Sequence, residues 1–251
     1  MAAINERSDD GVFTILLNRP EKKNAMSLEL LEELFHSLER AAKERAPVVV
    51  IRGAGNTFSS GGDVIQFRDS VEPGAKVDRM ADFLNRSILA VRSIPAIVVA
   101  VLEGLAVGAG LSLTLACDLT IASRDAVMNM GYRRIGLTPD GGASFFLPRL
   151  VGMKRFNDFY FLSRDVTMDE AMEIGLVNIL VDGANLEERL GSLIDDLKAL
   201  PMETTLRAKE LVNMSLWQGL GTHLDRERRY VSEFAAEPAF QERLRQLYRK
   251  K

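Results

Sequence analysis

The sequence predicts an α/β fold: a core in which strands alternate with helices, followed by an α-helical C-terminal region. Three observations carry this reading. Short apolar runs, most of them rich in β-branched residues, recur at Val12–Leu17, Val48–Arg52, Ile97–Leu102 and Leu119–Ala122. Longer segments with apolar residues at helical spacing lie between them. Beyond residue 143 the strand-length runs nearly cease and helical periodicity takes over.

In chain order, Val12–Leu17 reads as a strand. Ser27–Lys43 reads as a helix, with Leu30, Leu31, Leu34, Phe35, Leu38 and Ala42 along one stripe. Ser27 is its expected N-cap, because a serine oxygen there can accept an otherwise unpaired N–H of the first turn. Val48–Arg52 and Ile97–Leu102 lack the alternation of half-exposed strands, so both are expected to be covered on both faces. Ala81–Val91 has helical period, and Pro95 punctuates the step into the next strand. Segment 70–78, which contains Pro73-Gly74, is expected to be a mobile loop. Helices are then expected at about 144–151, 154–162, 168–174, 185–199, 201–215 and 223–248, with a short strand at Val177–Val181.

Composition narrows the function. The chain has 251 residues, 47% hydrophobic and 27% charged, enough to bury a substantial core. Its 32 Lys and Arg stand against 35 Asp and Glu, so no basic excess points to a nucleic-acid partner. Cys117 is the only cysteine, which excludes an intramolecular disulfide and fits a reducing compartment. His36 and His223 have no Cys or second His at ligand spacing, which argues against zinc. Ile94–Leu102, the longest apolar stretch, is about half a membrane span, and the N-terminus shows no basic-then-apolar leader. The expectation is a cytoplasmic protein with neither metal nor membrane partner.

Two glycine-containing turns each follow a buried strand and open a probable helix. They are Phe58-Ser59-Ser60-Gly61-Gly62-Asp63 and Glu103-Gly104 through Gly108-Ala109-Gly110. Neither has the Gly-Lys-Ser/Thr of a P-loop, and the second lacks dinucleotide GxGxxG spacing. At such turns the first N–H groups of a helix lack internal partners. Facing each other, two such turns would offer two donors to one oxygen, which is an oxyanion hole.

Asn18-Arg19-Pro20 through Ala25-Met26-Ser27, then Phe58–Asp63, Gly104–Gly110 and Ala116-Cys117-Asp118, resemble the crotonase (enoyl-CoA hydratase/isomerase) superfamily. Ile135–Gly142, Leu147–Gly152 and Ala171–Val177 continue the resemblance in order across nearly the whole chain. The resemblance implies a spiral of ββα units. It also implies a division into a catalytic core at 1–195 and a helical trimerisation region at 196–251, giving a homotrimer or a hexamer. It implies an acyl-CoA thioester substrate and no separate cofactor, since coenzyme A enters with the substrate. By position it puts the two oxyanion donors on the backbone N–H groups of Gly62 and Ala109. It puts coenzyme A contacts near Lys23 and Ala25, with Ser60 and Asp63 beside the first donor. The basic end Arg249–Lys251 is a further, weaker candidate for a phosphate contact.

The two glutamates of the family's hydratases are absent, because their positions hold Ser112 and Tyr132. Asp140 is the remaining carboxylate at a family catalytic position. One base that removes and returns a proton suffices for double-bond migration, so an enoyl-CoA isomerase with Asp140 as base is the leading expectation. The acyl pocket is expected to draw on Phe67, Met128, Met130, Phe145 and Trp217, with Tyr132 as a wall or supporting donor. Two other readings stand beside it: a hydratase-type lyase in which Asp140 directs water, and a non-catalytic binding or assembly subunit. Glu103 and Asp118 are expected to be structural. His36 is expected at the surface, and His223 is expected to cap or flank a helix.

Overall fold

The computed structural model describes residues 2–249, with side chains up to residue 246. The chain opens with a hairpin of β1 (Ile4–Asp9) and β2 (Val12–Leu17), turned by Asp10-Gly11 with both residues at positive φ. The segment Asn18–Ser27 leads to α1 (Leu28–Glu44), whose cap is Ser27: its hydroxyl accepts from the Leu30 N–H at 3.2 Å. Next come β3 (Val48–Gly53), the short α2 (Val64–Arg68) and α3 (Pro73–Ser93). Segment 70–78 is therefore not a loop over most of its length. Pro73 stands in the first turn of α3, where its fixed φ and missing N–H are compatible with helix initiation.

The units that follow repeat a step between two sheets. Strand β4 (Ile97–Leu102) is followed by β5 (Leu105–Val107) and α4 (Ala109–Ala116); β6 (Leu119–Ser123) by β7 (Val127–Asn129) and α5 (Tyr132–Ile135). The large sheet has the order β1-β2-β3-β4-β6-β9, antiparallel only at β1–β2, and the small one has the order β5-β7-β8. Further on lie α6 (Ala143–Val151), α7 (Met153–Leu162), β8 (Val166–Thr167), α8 (Met168–Glu173), β9 (Ile179–Val181) and α9 (Leu186–Lys198). The expected boundary at 195/196 falls inside α9.

The apolar strands are covered on both faces, as their lack of alternation requires. Val49, Ile51, Val98, Ala100 and Leu102 face the main core with α1, α3 and α4. Val48, Val50, Ile97, Val99 and Val101 face a second cluster closed by Leu186, Leu190, Leu193 and Leu197 of α9. Each fully buried Leu or Val is worth about 1.5–3 kcal/mol.

The helical tail comprises α10 (Met202–Leu216), α11 (Leu220–Ala236) and α12 (Pro238–Arg249). The single helix expected over 223–248 is two, because Pro238 cannot continue the hydrogen-bond ladder of α11. α11 lies along α3, joined by Arg228 to Asp78 and Asp82, and by the Asn85 side-chain amide, which donates to the Leu224 carbonyl. α12 returns to the core, burying Phe240 beside Phe67 of α2, with Leu244 also buried. α10 leaves Leu211, Val212, Met214 and Leu216 exposed. Among the described residues, no helix is long and apolar enough to cross a membrane.

Candidate active site

The first glycine turn is built from a polar frame. The Asn24 side-chain carbonyl accepts from the Arg19 N–H at 2.9 Å, and its amide donates to the carbonyls of Ala54 (2.9 Å) and Thr57 (2.5 Å). The Ser59 hydroxyl donates to the Asn24 carbonyl at 2.8 Å and accepts from the Gly61 N–H at 3.1 Å. Asp63 caps α2, accepting from the Gln66 N–H, and pairs with Arg19 at 2.9 Å. These bonds leave the Gly62 N–H without a protein acceptor among the described residues.

The second turn lies directly against the first. Ser59 pairs with Ala106 as a parallel bridge, donating to Leu105 (2.8 Å) and accepting from Val107 (3.0 Å). Gly61 has φ +91°, and a Cβ there would stand 2.8 Å from the Val107 carbonyl oxygen, so the close approach requires glycine. Gly108, at φ +54°, donates to the Asn129 carbonyl and precedes α4. Ala109 is the first residue of that helix, so its N–H points out of the helix without an internal partner.

Both N–H groups border one cavity of about 210 Å³, shared with Ser60, Phe67, Tyr132 and Asp140. Six of the nine expected site residues therefore meet there. Val64, Val77, Ile135, Leu137 and Val231 complete apolar walls, and Arg134 lies at the same cavity. Larger depressions elsewhere, such as one of about 510 Å³ beside Arg92 and Glu203, bring no such donors together.

Three expected residues do not line the cavity. Lys23 is exposed on the first turn, where its carbonyl accepts from the Ser60 N–H. Ala25 has its N–H bonded to the Lys22 carbonyl and its own carbonyl bonded to Arg19. Asp63 is held by Arg19 and its own helix. The basic end lies outside the residues whose side chains are described.

The expected acyl wall needs correction. Phe67 is there, but Met128 and Met130 are buried away from the cavity. Phe145 and Trp217 belong to a separate aromatic cluster with Phe146 and His223, where α6 meets the end of α10 and the start of α11. Val77 and Val231 occupy the place given to them. Neither could be read locally: Val77 sits in the segment expected to be a loop, and Val231 is carried back by the C-terminal fold.

Among the described residues, Asp140 is the only carboxyl lining the cavity. Burial pushes its pKa up to about 7; the hydrogen bond from Tyr132 works against this, and the charge of Glu227 adds to it. The Tyr132 hydroxyl donates to Asp140 Oδ1 at 2.8 Å and lies 2.9 Å from the Ser112 hydroxyl, which donates to the Asp140 carbonyl at 2.8 Å. Burial, then the charge of Asp140, raises the Tyr132 pKa far above its usual range, so the phenol keeps its proton. When Asp140 is protonated, its OH can donate to Tyr132, and Tyr132 in turn to Ser112. Every donor thus has an acceptor in either state. Tyr132 is both wall and donor, and Ser112 is the part of this network that the sequence showed only as a missing glutamate.

The remaining candidates do not line the cavity. Glu103 pairs with Arg52, and Asp118 accepts from Arg92, Lys209 and the Val98 N–H. His36 pairs with Glu39 at the surface, and His223 flanks the start of α6 through Ser144. Burial pushes the Cys117 thiol up to about 12, which leaves no thiolate nucleophile near neutral pH.

The sequence profile of the enoyl-CoA hydratase/isomerase family matches residues 7–251. The 4-chlorobenzoyl coenzyme A dehalogenase-2 of an Arthrobacter species is 31% identical, over 96% of this chain and 88% of its own. The 1,2-epoxyphenylacetyl-CoA isomerase of Escherichia coli is 30% identical, over 92% and 89%. The crystal structure of an enoyl-CoA hydratase from Mycobacterium avium subsp. paratuberculosis superposes with a TM-score of 0.91, at 30% identity, covering 100% of this chain and 97% of that one. The names of these relatives describe three different reactions. With that match across the chain, and two donor turns at one cavity, this protein belongs to the enoyl-CoA hydratase/isomerase superfamily of acyl-CoA enzymes.

Proposed function

We propose that the protein is an enoyl-CoA isomerase that moves a C=C bond of an acyl thioester, with Asp140 as the single base. The observation that carries this is that, among the described residues, Asp140 is the one carboxyl lining the cavity that two unpartnered backbone donors also border. The Asp140 carboxylate takes the proton from C2 of a 3-enoyl thioester, and the electron pair moves onto the thioester oxygen. The Gly62 and Ala109 N–H groups receive that charge, each worth about 3–4 kcal/mol of barrier. Asp140 then returns the proton to C4, the C2–C3 double bond forms, and the oxygen is a carbonyl again.

Water addition calls for an acid and a base on one substrate face, and Ser112 and Tyr132 supply no second carboxylate. The isomerase from Escherichia coli is consistent with this reading, as a relative whose name also describes an isomerisation. The test offers purified protein 3-hexenoyl-CoA and 2-hexenoyl-CoA in parallel. The expected result is conversion of the first to the 2-enoyl isomer and no hydration of the second. Rapid hydration of 2-hexenoyl-CoA with 3-hexenoyl-CoA untouched overturns the proposal.

A further inference from the structure

A second buried carboxylate stands behind Asp140, outside the cavity. Glu227 of α11 is 5% exposed. Its Oε2 accepts from the Gly142 N–H at 2.7 Å; its Oε1 accepts from the Ser144 N–H at 3.0 Å and from the Ser144 hydroxyl at 2.5 Å. Gly142 precedes α6 in the left-handed region at φ +85°, and as a glycine it has no side chain with which to cap that helix. Glu227 supplies the missing acceptors from a distant part of the chain. The turn so fixed is Asp140-Gly141-Gly142, where Gly141 is packed closely enough that a Cβ would meet Leu84 of α3 at 2.7 Å and Ser112 at 3.0 Å.

We propose that Glu227 is a positioning residue for Asp140: it pins the turn that presents the base to the cavity and sets the electrostatic surroundings in which that base works. This rests on Asp140 being the base. Glu227 does not line the cavity, and both its oxygens are engaged, so it acts through Asp140 and not on substrate. The geometry explains why a hydrogen-bonded carboxylate is kept in the core at all, since an apolar residue there would leave the Gly142 and Ser144 N–H groups unpaired.

The other charged groups around the turn are few. α5 offers Tyr132, which donates to Asp140, with Arg134 turned to Ser163 and Asp165. α11 adds His223, 3.5 Å from Glu227, and Arg228, which is paired with Asp78 and Asp82 of α3. α6 adds Arg149, over the Phe145 ring. α4 contributes the uncharged Ser112. Glu227 is thus the nearby negative charge that reinforces burial in raising the proton affinity of Asp140.

The test is Glu227→Gln, which keeps the shape and one acceptor but removes the charge. The carboxyl 13C titration of Asp140, assigned by comparison with Asp140→Asn, should shift downward by about one pH unit. The rising limb of the pH–rate profile for 3-hexenoyl-CoA should move with it. Plateau kcat should fall several-fold, with KM within about twofold. An unmoved titration overturns the proposal even if Asp140→Asn is inactive. A fully active Asp140→Asn overturns the base assignment instead, whatever the titration shows. If Glu227→Gln does not fold, Glu227→Asp keeps the charge but reaches only one of the two N–H groups. It should keep the limb and lose kcat, and unchanged kcat there also overturns the proposal.

Discussion

Asp140→Asn is expected to lower the turnover of a 3-enoyl thioester by about 100- to 10,000-fold while leaving acyl-CoA affinity nearly unchanged. The amide can still accept the Tyr132 hydrogen bond and fill the same volume, but it cannot take a proton from C2. Steady-state kinetics together with calorimetric binding of a saturated acyl-CoA separates the two effects. In the wild type, activity should rise with pH through about 7, since only the carboxylate is competent.

The same substitution has a stability consequence of opposite sign. A carboxyl whose folded pKa is raised binds more protons in the folded than in the unfolded state between the two values. Wild-type stability therefore falls as pH rises from about 4 to about 7. Asp140→Asn has no such term, so it should melt higher than the wild type at pH 8, by on the order of 1–3 kcal/mol, and gain little at pH 4. Loss of function with a gain in stability marks a site held in an unfavourable environment for its chemistry. Equal melting at both pH values would mean that Asp140 is not raised.

Gly61→Ala is expected to damage both the fold and the reaction. Its φ of +91° is strained for an alanine, and the new methyl would stand 2.8 Å from the Val107 carbonyl oxygen, which is backbone and cannot swing aside. The two donor turns must separate, so Gly62 and Ala109 no longer aim at one oxygen. A loss of about 2–4 kcal/mol in stability and at least about 100-fold in kcat is expected. Denaturant unfolding and kinetics on the folded fraction check this. Wild-type values for both would mean that the contact between the turns does not position the donors.

Much of the fold and part of the site are legible in the sequence. Val48–Arg52 and Ile97–Leu102 read as doubly covered strands because their apolar residues run on without alternation, Arg52 ending the first run, and α9 is the layer that covers their second face. The donor turns were legible because glycine marks close backbone approach and both follow buried strands. Asp140 is legible only through the family resemblance, which puts an acidic residue at that position; by itself Pro139-Asp140-Gly141-Gly142 reads as a turn. What was hidden lies in long-range contacts. Val231, Glu227 and the placement of Trp217 depend on α11 folding back along α3, and nothing near Asp140 in the sequence encodes that return. Val77 was lost for a local reason: Pro73-Gly74 resembles a loop, yet proline at the first turn of a helix starts it. Phe145 is aromatic, and aromatic character does not say which side of α6 turns toward the cavity; its ring packs with Phe146, Trp217 and His223 instead.

In the proposed reaction one carboxylate carries a proton between two carbons of a thioester held by two backbone donors. The most direct measurement follows 3-hexenoyl-CoA deuterated at C2, converted in ordinary water and sampled within the first turnovers. The expected product is 2-hexenoyl-CoA with part of the deuterium now at C4, carried there by Asp140. A 3-hydroxyacyl product, or an isomer with no deuterium at C4 even at the earliest times, would contradict it.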